Sequence, residues 1–188
     1  MPAHDVFRRA FRRLGRDRRA AAALEFALVS VPFLGIVLGL ATVAVDLYLQ
    51  EALDVALQTA VRQVQLGRVP TTSSASDFTG SAFCPAFTAF APCTGVSVTL
   101  QPVSDYVSAA VVATPSAAQL GSSGSFCVGR PGQLMFARVV YLAPIISRFW
   151  PYAGQASING VTGTALVSTA AFANENPSGV ALPGSAGC

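Results

Sequence analysis

Few side chains in this 188-residue chain could carry out chemistry, and their spacing favours structure over catalysis. The only histidine is His4, so residues 21–188 cannot form a Ser-His-Asp or Cys-His arrangement. No phosphate-binding or dinucleotide-binding glycine pattern and no G-x-S-x-G motif is present. The acids Asp77, Asp105 and Glu175 are scattered through the second part of the chain. We therefore expect a protein that is not an enzyme and that has no cofactor and no small-molecule substrate.

Four cysteines are the residues best suited to form cross-links: Cys84, Cys93, Cys127 and Cys188. An even number of cysteines in an oxidising compartment favours disulfides, and four allow three pairings. We favour Cys84–Cys93, which closes a short loop, and Cys127–Cys188, which fixes the end of the chain. A zinc site is the alternative, but there is no C-x2-C spacing and no histidine in this part of the sequence.

An arginine cluster followed by a long apolar segment dominates the N-terminal part of the chain. Seven of the twelve basic residues belong to the cluster: Arg8, Arg9, Arg12, Arg13, Arg16, Arg18 and Arg19. From Phe26 to Val45 no residue is charged, and as a helix this run is about 30 Å long, enough to cross the hydrocarbon core of a bilayer. Arginines that precede such a helix hold its N terminus in the cytoplasm. We predict a single-pass membrane protein whose N terminus is cytoplasmic and whose residues after Val45 lie outside the cytoplasm.

The distribution of charge indicates that the arginines orient a membrane span rather than bind nucleic acid. Residues 1–20 hold seven arginines against two acids, a balance of +5, whereas residues 21–188 hold five arginines against seven acids, a balance of −2. No basic stripe with interleaved aromatic residues follows residue 20, so we expect no nucleic-acid partner.

After the apolar run the sequence keeps a helical period but becomes amphipathic. Its apolar positions are Leu49, Leu53, Ala56, Leu57, Ala60, Val61 and Val64. Its polar positions, expected on the opposite face, are Gln50, Glu51, Asp54, Gln58 and Arg62. Gly67 is a suitable C-cap and Pro70 blocks continuation, so the pattern predicts one helix over 20–66. Pro32 removes a hydrogen bond inside it and predicts a kink.

The remainder reads as a loop over 70–94 followed by short strands. Strands are predicted over 96–103, 106–115, 133–142 and 160–172, and a short helix or an ordered loop is predicted over 143–154. The apolar stripe of the helix is the obvious cover for one face of such a small antiparallel sheet. We predict an α+β fold with this division: a cytoplasmic leader 1–20, a transmembrane helix 21–45, an amphipathic extension 46–67 and an extracytoplasmic domain 68–188.

The stretch Ala23 to Val29 (Ala-Leu-Glu-Phe-Ala-Leu-Val), with arginines before it and Pro32 within the span, resembles the TadE-like family. These are pilin-like or pseudopilin proteins of the tight-adherence (Flp) pilus, a relative of type IV pili. The segment from Ser168 to Pro177 is also similar to the closing segment of the family. The resemblance implies a pilin-like fold and a role as a non-catalytic pilus assembly component. It also implies that the protein lies in the bacterial inner membrane, with its C-terminal domain periplasmic or extracellular. It implies other pilin-like subunits, pilus assembly membrane proteins and a prepilin peptidase as partners.

The resemblance also implies a processing site. The peptidase cuts on the cytoplasmic side so that the glutamate is the fifth residue after the cut, which places the cut between Ala20 and Ala21 and makes Glu25, followed by Phe26, the assembly carboxylate. Family members usually have glycine before the cut, where this chain has Ala20. Unprocessed TadG-like relatives are therefore the alternative.

Physical reasoning on Glu25 leaves two readings. A carboxylate at the start of a membrane span is costly, and it gains from the positive end of a helix or from a neighbouring subunit's amine. It could instead lie solvated at headgroup level. Whole-chain alternatives are a secretory or twin-arginine signal, and an anchored or secreted adhesin or binding domain. Six aromatic residues form either core or an adhesive or subunit-contact surface, with core favoured: Phe83, Phe87, Phe90, Phe149, Trp150 and Tyr152.

Overall fold

The computed structural model describes residues 18–69, 73–105, 107–108, 124–144, 155–158 and 160–175. The chain divides into two compact units, Met1–Ala44 and Val45–Cys188, and we call the second the sheet unit. Helix α1 (Arg18–Gln65) contributes to both units. The sheet unit also contains α2 (Ala75–Phe78), a π-helical turn (Thr79–Phe83), α3 (Cys84–Phe87), β1 (Val96–Pro102), β2 (Leu134–Ala143), β3 (Gln155–Ile158) and β4 (Val161–Ala173).

Helix α1 ends as the sequence predicts. Gly67 adopts a positive φ of 66°, which a residue without a Cβ accepts at no steric cost. Its N–H donates to the Val64 carbonyl at 2.9 Å, and the Arg68 N–H donates to the Gln63 carbonyl at 2.9 Å. These two bonds are the Schellman pattern, which satisfies carbonyls that the last helical turn leaves without donors. The predicted helix is confirmed, with bounds Arg18–Gln65.

The amphipathic part of α1 packs on the sheet and forms the core of the sheet unit. All seven predicted apolar positions between Leu49 and Val64 are buried. They belong to one hydrophobic cluster with side chains from one face of the sheet, among them Leu100, Met135 and Phe172. Burial of apolar surface is the main favourable contribution to folding, so this stripe is what joins helix and sheet. The α+β class and the packing of α1 on an antiparallel sheet are confirmed.

The four strands are arranged in the order β1-β2-β4-β3, and every pairing is antiparallel. Strand β2 is central: Val139 pairs with Val98 of β1 and with Ser168 of β4. It is buried from Met135 to Ala143, because both of its faces are covered. This explains why its sequence is nearly continuous in apolar residues rather than alternating. The strands predicted over 96–103, 133–142 and 160–172 are confirmed within one or two residues.

The sheet face opposite α1 carries a second, smaller apolar cluster built from Val140, Leu142 and Ile158. The same face holds a charged side chain that sequence reasoning did not single out. Arg138 is 7% exposed and pairs in register with Thr99 on one side and Thr169 on the other. Burial lowers the pKa of its guanidinium, because an apolar surrounding disfavours the charged form.

The predicted loop over 70–94 is wrong in its central part, where 75–87 is helical. Ser74 and Asp77 form a capping box: the Asp77 N–H donates to Ser74 Oγ at 3.2 Å and the Ser74 N–H donates to Asp77 Oδ2 at 3.0 Å. The segment then buries Phe78, Phe83 and Phe87. The π-helical turn inserts an extra residue between the first two rings, so their spacing of five and then four does not match a regular helical period.

Strand β3 was not predicted, although the sequence contains a signal for it. The dipeptide Asn159-Gly160 separates β3 from β4, and Asn-Gly is the commonest tight-hairpin turn because glycine accepts positive φ. Gly160 has a φ of 80°. The strand predicted over 106–115 lies outside the described residues except for Val107 and Ser108, which are helical rather than extended. The segment 145–154, including Trp150, also lies outside them.

Candidate functional site

The first candidate site is the exposed apolar part of α1. In the described chain, one helix is long and apolar enough to cross a membrane by length and composition, and its most apolar window has no buried residue. Phe26, for example, is 75% exposed. Large exposed side chains continue along the helix: Leu28, Val29, Val31, Phe33, Leu34, Ile36, Val37, Leu38, Leu40 and Val43. A surface this apolar in a folded protein marks a membrane span, a signal anchor or a protein contact.

Glu25 is an exposed acid within this surface. Its neighbours one helical turn away are Ala21, Ala22, Leu28 and Val29, none of which is charged. The nearest basic residue in the helix is Arg19, six positions away, which is about 9 Å along the helix axis. The described part of the helix therefore supplies no cation within one turn of this carboxylate.

The predicted processing site lies within α1: Ala20 and Ala21 are both helical. Arg18 and Arg19 are also helical, whereas Arg8, Arg9, Arg12, Arg13 and Arg16 lie outside the described residues. Pro32 is inside α1, and the kink that we expect there stays a prediction.

The polar face of the amphipathic segment differs from the prediction at two positions. Gln50 and Asp54 are partly buried at the border of the apolar stripe rather than on the opposite face. Gln50 Nε2 donates to the Val167 carbonyl of β4 at 3.0 Å, and Ser168 Oγ donates to Asp54 Oδ1. These bonds fix the register of α1 against β4, a role that helical periodicity cannot reveal because the partners are more than a hundred residues away in sequence.

The disulfide between Cys84 and Cys93 is confirmed, with a Cα–Cα distance of 5.8 Å. Cys127 is also disulfide-bonded, and its predicted partner Cys188 lies outside the described residues. Inside the loop that Cys84 and Cys93 close, Phe87 is buried and its ring is 5.4 Å from that of Phe83.

The aromatic residues divide between core and surface. Phe83 and Phe87 are core, as favoured from the sequence, and Phe87 lies edge-on to Tyr141 at 4.9 Å between centroids. Burial raises the pKa of the Tyr141 phenol, since its anion is poorly solvated there. For Phe90 the core prediction is wrong, because its ring is exposed. Phe149, Trp150 and Tyr152 lie outside the described residues.

A groove of about 810 Å³ is lined by α2, the Cys84–Cys93 disulfide, the start of β1, and Ile158 and Val161 at the hairpin between β3 and β4. The residues that line it have hydroxyl, small or aliphatic side chains and include no charged group. Across the described ranges, no three His, Cys, Asp or Glu side chains come together as a metal site. Comparison with family models, with curated proteins and with solved structures found no match to this chain.

Proposed function

We propose that this protein is a minor pilin or pseudopilin of a tight-adherence (Flp) pilus, a non-catalytic assembly component held in the bacterial inner membrane. The N terminus lies in the cytoplasm and the sheet unit lies on the periplasmic side. Partners are other pilin-like subunits, pilus assembly membrane proteins and a prepilin peptidase.

One observation carries this proposal: the apolar side chains of a single helix are exposed in its first part and buried in its second part. Up to Val43 the large apolar side chains of α1 are exposed, and from Leu49 the apolar stripe is buried against the sheet. An ordinary membrane anchor needs no such continuity, since a linker would serve. A subunit that leaves the bilayer and joins a helical bundle needs an apolar helix that continues into its own domain, and α1 is continuous from Arg18 to Gln65. The long helix, the small antiparallel sheet and the disulfide are consistent with that design.

Glu25 sets the position of α1 along the helices of neighbouring subunits. After a cut before Ala21, the new ammonium lies four residues, or about 6 Å, along the axis from the glutamate. The carboxylate near the positive end of the helix is stabilised by the macrodipole, and it can pair with the amine of a neighbouring subunit. An unpaired charge in an apolar bundle is costly, so a subunit in the wrong register is disfavoured.

N-terminal sequencing of the protein purified from membranes tests processing directly. A chain that starts at Ala21 supports the pseudopilin. An intact Met1 supports a membrane-resident anchor, and a start at Val45 supports a secreted domain; either result contradicts the processed form.

Incorporation into pili tests the role of the carboxylate. Glu25→Ala should abolish incorporation, whereas Glu51→Ala, which removes an exposed acid from the same helix beyond the apolar run, should not. Equal incorporation of both variants would refute the assembly role of Glu25. Accumulation of both variants in the membrane, checked by immunoblotting, separates assembly from folding.

A further inference from the structure

Two exposed aromatic rings pack against each other where the apolar run of α1 ends. Tyr48 is 56% exposed and Phe90 is 42% exposed, and their ring centroids are 5.9 Å apart in an edge-on arrangement. Tyr48 belongs to α1 and Phe90 to the disulfide-closed loop, so the pair joins two elements of the sheet unit. We call these two residues the ring pair. They leave roughly half of two large apolar surfaces in solvent.

The loop that carries Phe90 is held firmly in this position. The Phe90 N–H donates to the Phe87 carbonyl at 2.9 Å, and the Ala91 N–H donates to the same oxygen at 3.2 Å. Phe87 itself is fully buried, and the Cys84–Cys93 bond closes the loop. The exposure of Phe90 is therefore set by the fold, because these bonds hold its backbone where the ring lies outside the core.

The position of Tyr48 along α1 sets its depth if the apolar run spans a bilayer. The uncharged run ends at Val45, and Tyr48 follows three residues later, which is about 4.5 Å along the helix axis. The interfacial layer on each side of the hydrocarbon core is about 5–7 Å thick. Tyr48 then falls within this layer, and Phe90 lies beside it. Tyrosine and tryptophan are enriched at this depth in membrane proteins because they combine an apolar ring with a polar group, and the Phe90 ring adds apolar surface beside Tyr48.

The charges around the ring pair favour a neutral lipid surface. The loop residues 85–92 contain no charged side chain, and the nearest ionisable groups on α1 are the acids Asp46 and Glu51. An anionic lipid surface would repel these acids. No lysine or arginine is available between Val45 and Arg62 to attract one.

We propose that the ring pair is a membrane-docking contact that inserts into the interfacial layer of a zwitterionic phospholipid bilayer and holds the sheet unit against it. This inference rests on the membrane anchor of the proposed function. The contact gives the sheet unit a defined orientation while the subunit is still in the membrane, and it has to be released when the subunit leaves.

Tryptophan fluorescence of the full-length chain in phosphatidylcholine vesicles tests this contact. Trp150 is the only tryptophan, so a Trp150→Phe background allows one probe to be placed at Phe90→Trp and a control probe at Val107→Trp, which is 75% exposed elsewhere in the sheet unit. Phospholipid brominated near the headgroup should quench the Phe90→Trp emission about twofold and leave the Val107→Trp emission nearly unchanged. Quenching should persist at high lipid-to-protein ratio and without anionic lipid.

Carbonate extraction separates the possible failures. Unquenched Phe90→Trp emission in a chain that resists extraction overturns the docking contact and leaves the anchor intact, whereas a chain that is extracted overturns both. Quenching that is lost when the lipid-to-protein ratio is raised at a constant fraction of brominated lipid shows that the contact depends on a protein neighbour, and it overturns the proposal. If Trp150→Phe does not fold, 3-fluorotyrosine in the unsubstituted chain replaces it. A headgroup nitroxide should then broaden the ¹⁹F signal that Tyr48→Phe removes, and an unbroadened signal overturns the proposal.

Discussion

Leu53 and Leu47 allow the dual role of α1 to be tested with one type of substitution. Both are leucines on the same helix, but Leu53 is 0% exposed within the core of the sheet unit and Leu47 is 65% exposed. Leu53→Ala removes three carbon atoms from the contact between helix and sheet and leaves a cavity there. Leu47→Ala removes the same atoms from a side chain that already faces outward.

The expected magnitudes differ several-fold. Leucine-to-alanine substitutions at fully buried positions cost about 2–5 kcal/mol, since lost apolar transfer and the residual cavity both contribute. Substitutions at exposed positions usually change stability by less than about 0.5 kcal/mol. For a unit of the size of Val45–Cys188, 1 kcal/mol shifts Tm by about 2–4 °C, so a 3 kcal/mol loss in Leu53→Ala lowers Tm by about 6–12 °C.

The assay is thermal unfolding of the full-length chain in detergent micelles, followed by near-ultraviolet circular dichroism, which reports the packing of the buried aromatic rings. A urea titration at fixed temperature checks that the m-value is unchanged, so that the shift reflects stability and not a change in the unfolded state. Equal shifts for the two variants, or a loss below about 1 kcal/mol for Leu53→Ala, would show that α1 does not form the core of the sheet unit.

Three further substitutions test local features of the sheet unit. Replacing Cys84 and Cys93 together by alanine should lower the free energy of unfolding by about 2.5 kcal/mol under non-reducing conditions, because the bond closes a loop with a separation of nine residues; an unchanged urea midpoint would contradict this. Hydrogen bonds from the capping serine lower the pKa of Asp77, so its contribution to stability is present above about pH 4, where the unfolded carboxyl ionises, and is lost as pH falls through the folded pKa. In a plot of the urea midpoint against pH, Asp77→Asn should therefore show a smaller fall at acid pH than the unsubstituted chain. Parallel plots for the two proteins would refute this reasoning. Ser168→Ala removes the donor to Asp54 and should cost about 1–2 kcal/mol, with partial recovery when both are alanine; an additive double-mutant cycle would show that the bond contributes nothing.

Features that depend on sequence periodicity or on single special residues were predictable. The buried stripe from Leu49 to Val64 follows the helical period, and Gly67 ends the helix because glycine adopts the positive φ of this position at no steric cost. The pairing of Cys84 with Cys93 follows from their short separation. Strand β2 is recognisable because a strand with both faces covered is apolar throughout.

Features that depend on an irregular backbone or on distant partners were not predictable in the same way. The π-helical turn shifts the spacing of Phe78 and Phe83, so a helical segment reads as aperiodic. Gln50 and Asp54 are polar and fall at the edge of the stripe, and only the position of β4 decides that they face the sheet. The dipeptide Asn159-Gly160 is nevertheless a sequence signal for the hairpin between β3 and β4.

Phe90 is exposed, although its aromatic side chain favoured a core position. A phenylalanine is most often core, and Phe83 and Phe87 within the same segment obey that tendency. Phe90 differs because the turn after Phe87 reverses the chain, and the disulfide then returns it to the sheet within a few residues. A ring at the tip of such a turn cannot reach the core without breaking the bonds that define the turn. Its exposed surface, beside Tyr48 at the end of the apolar run, is the surface that the proposed docking contact would cover.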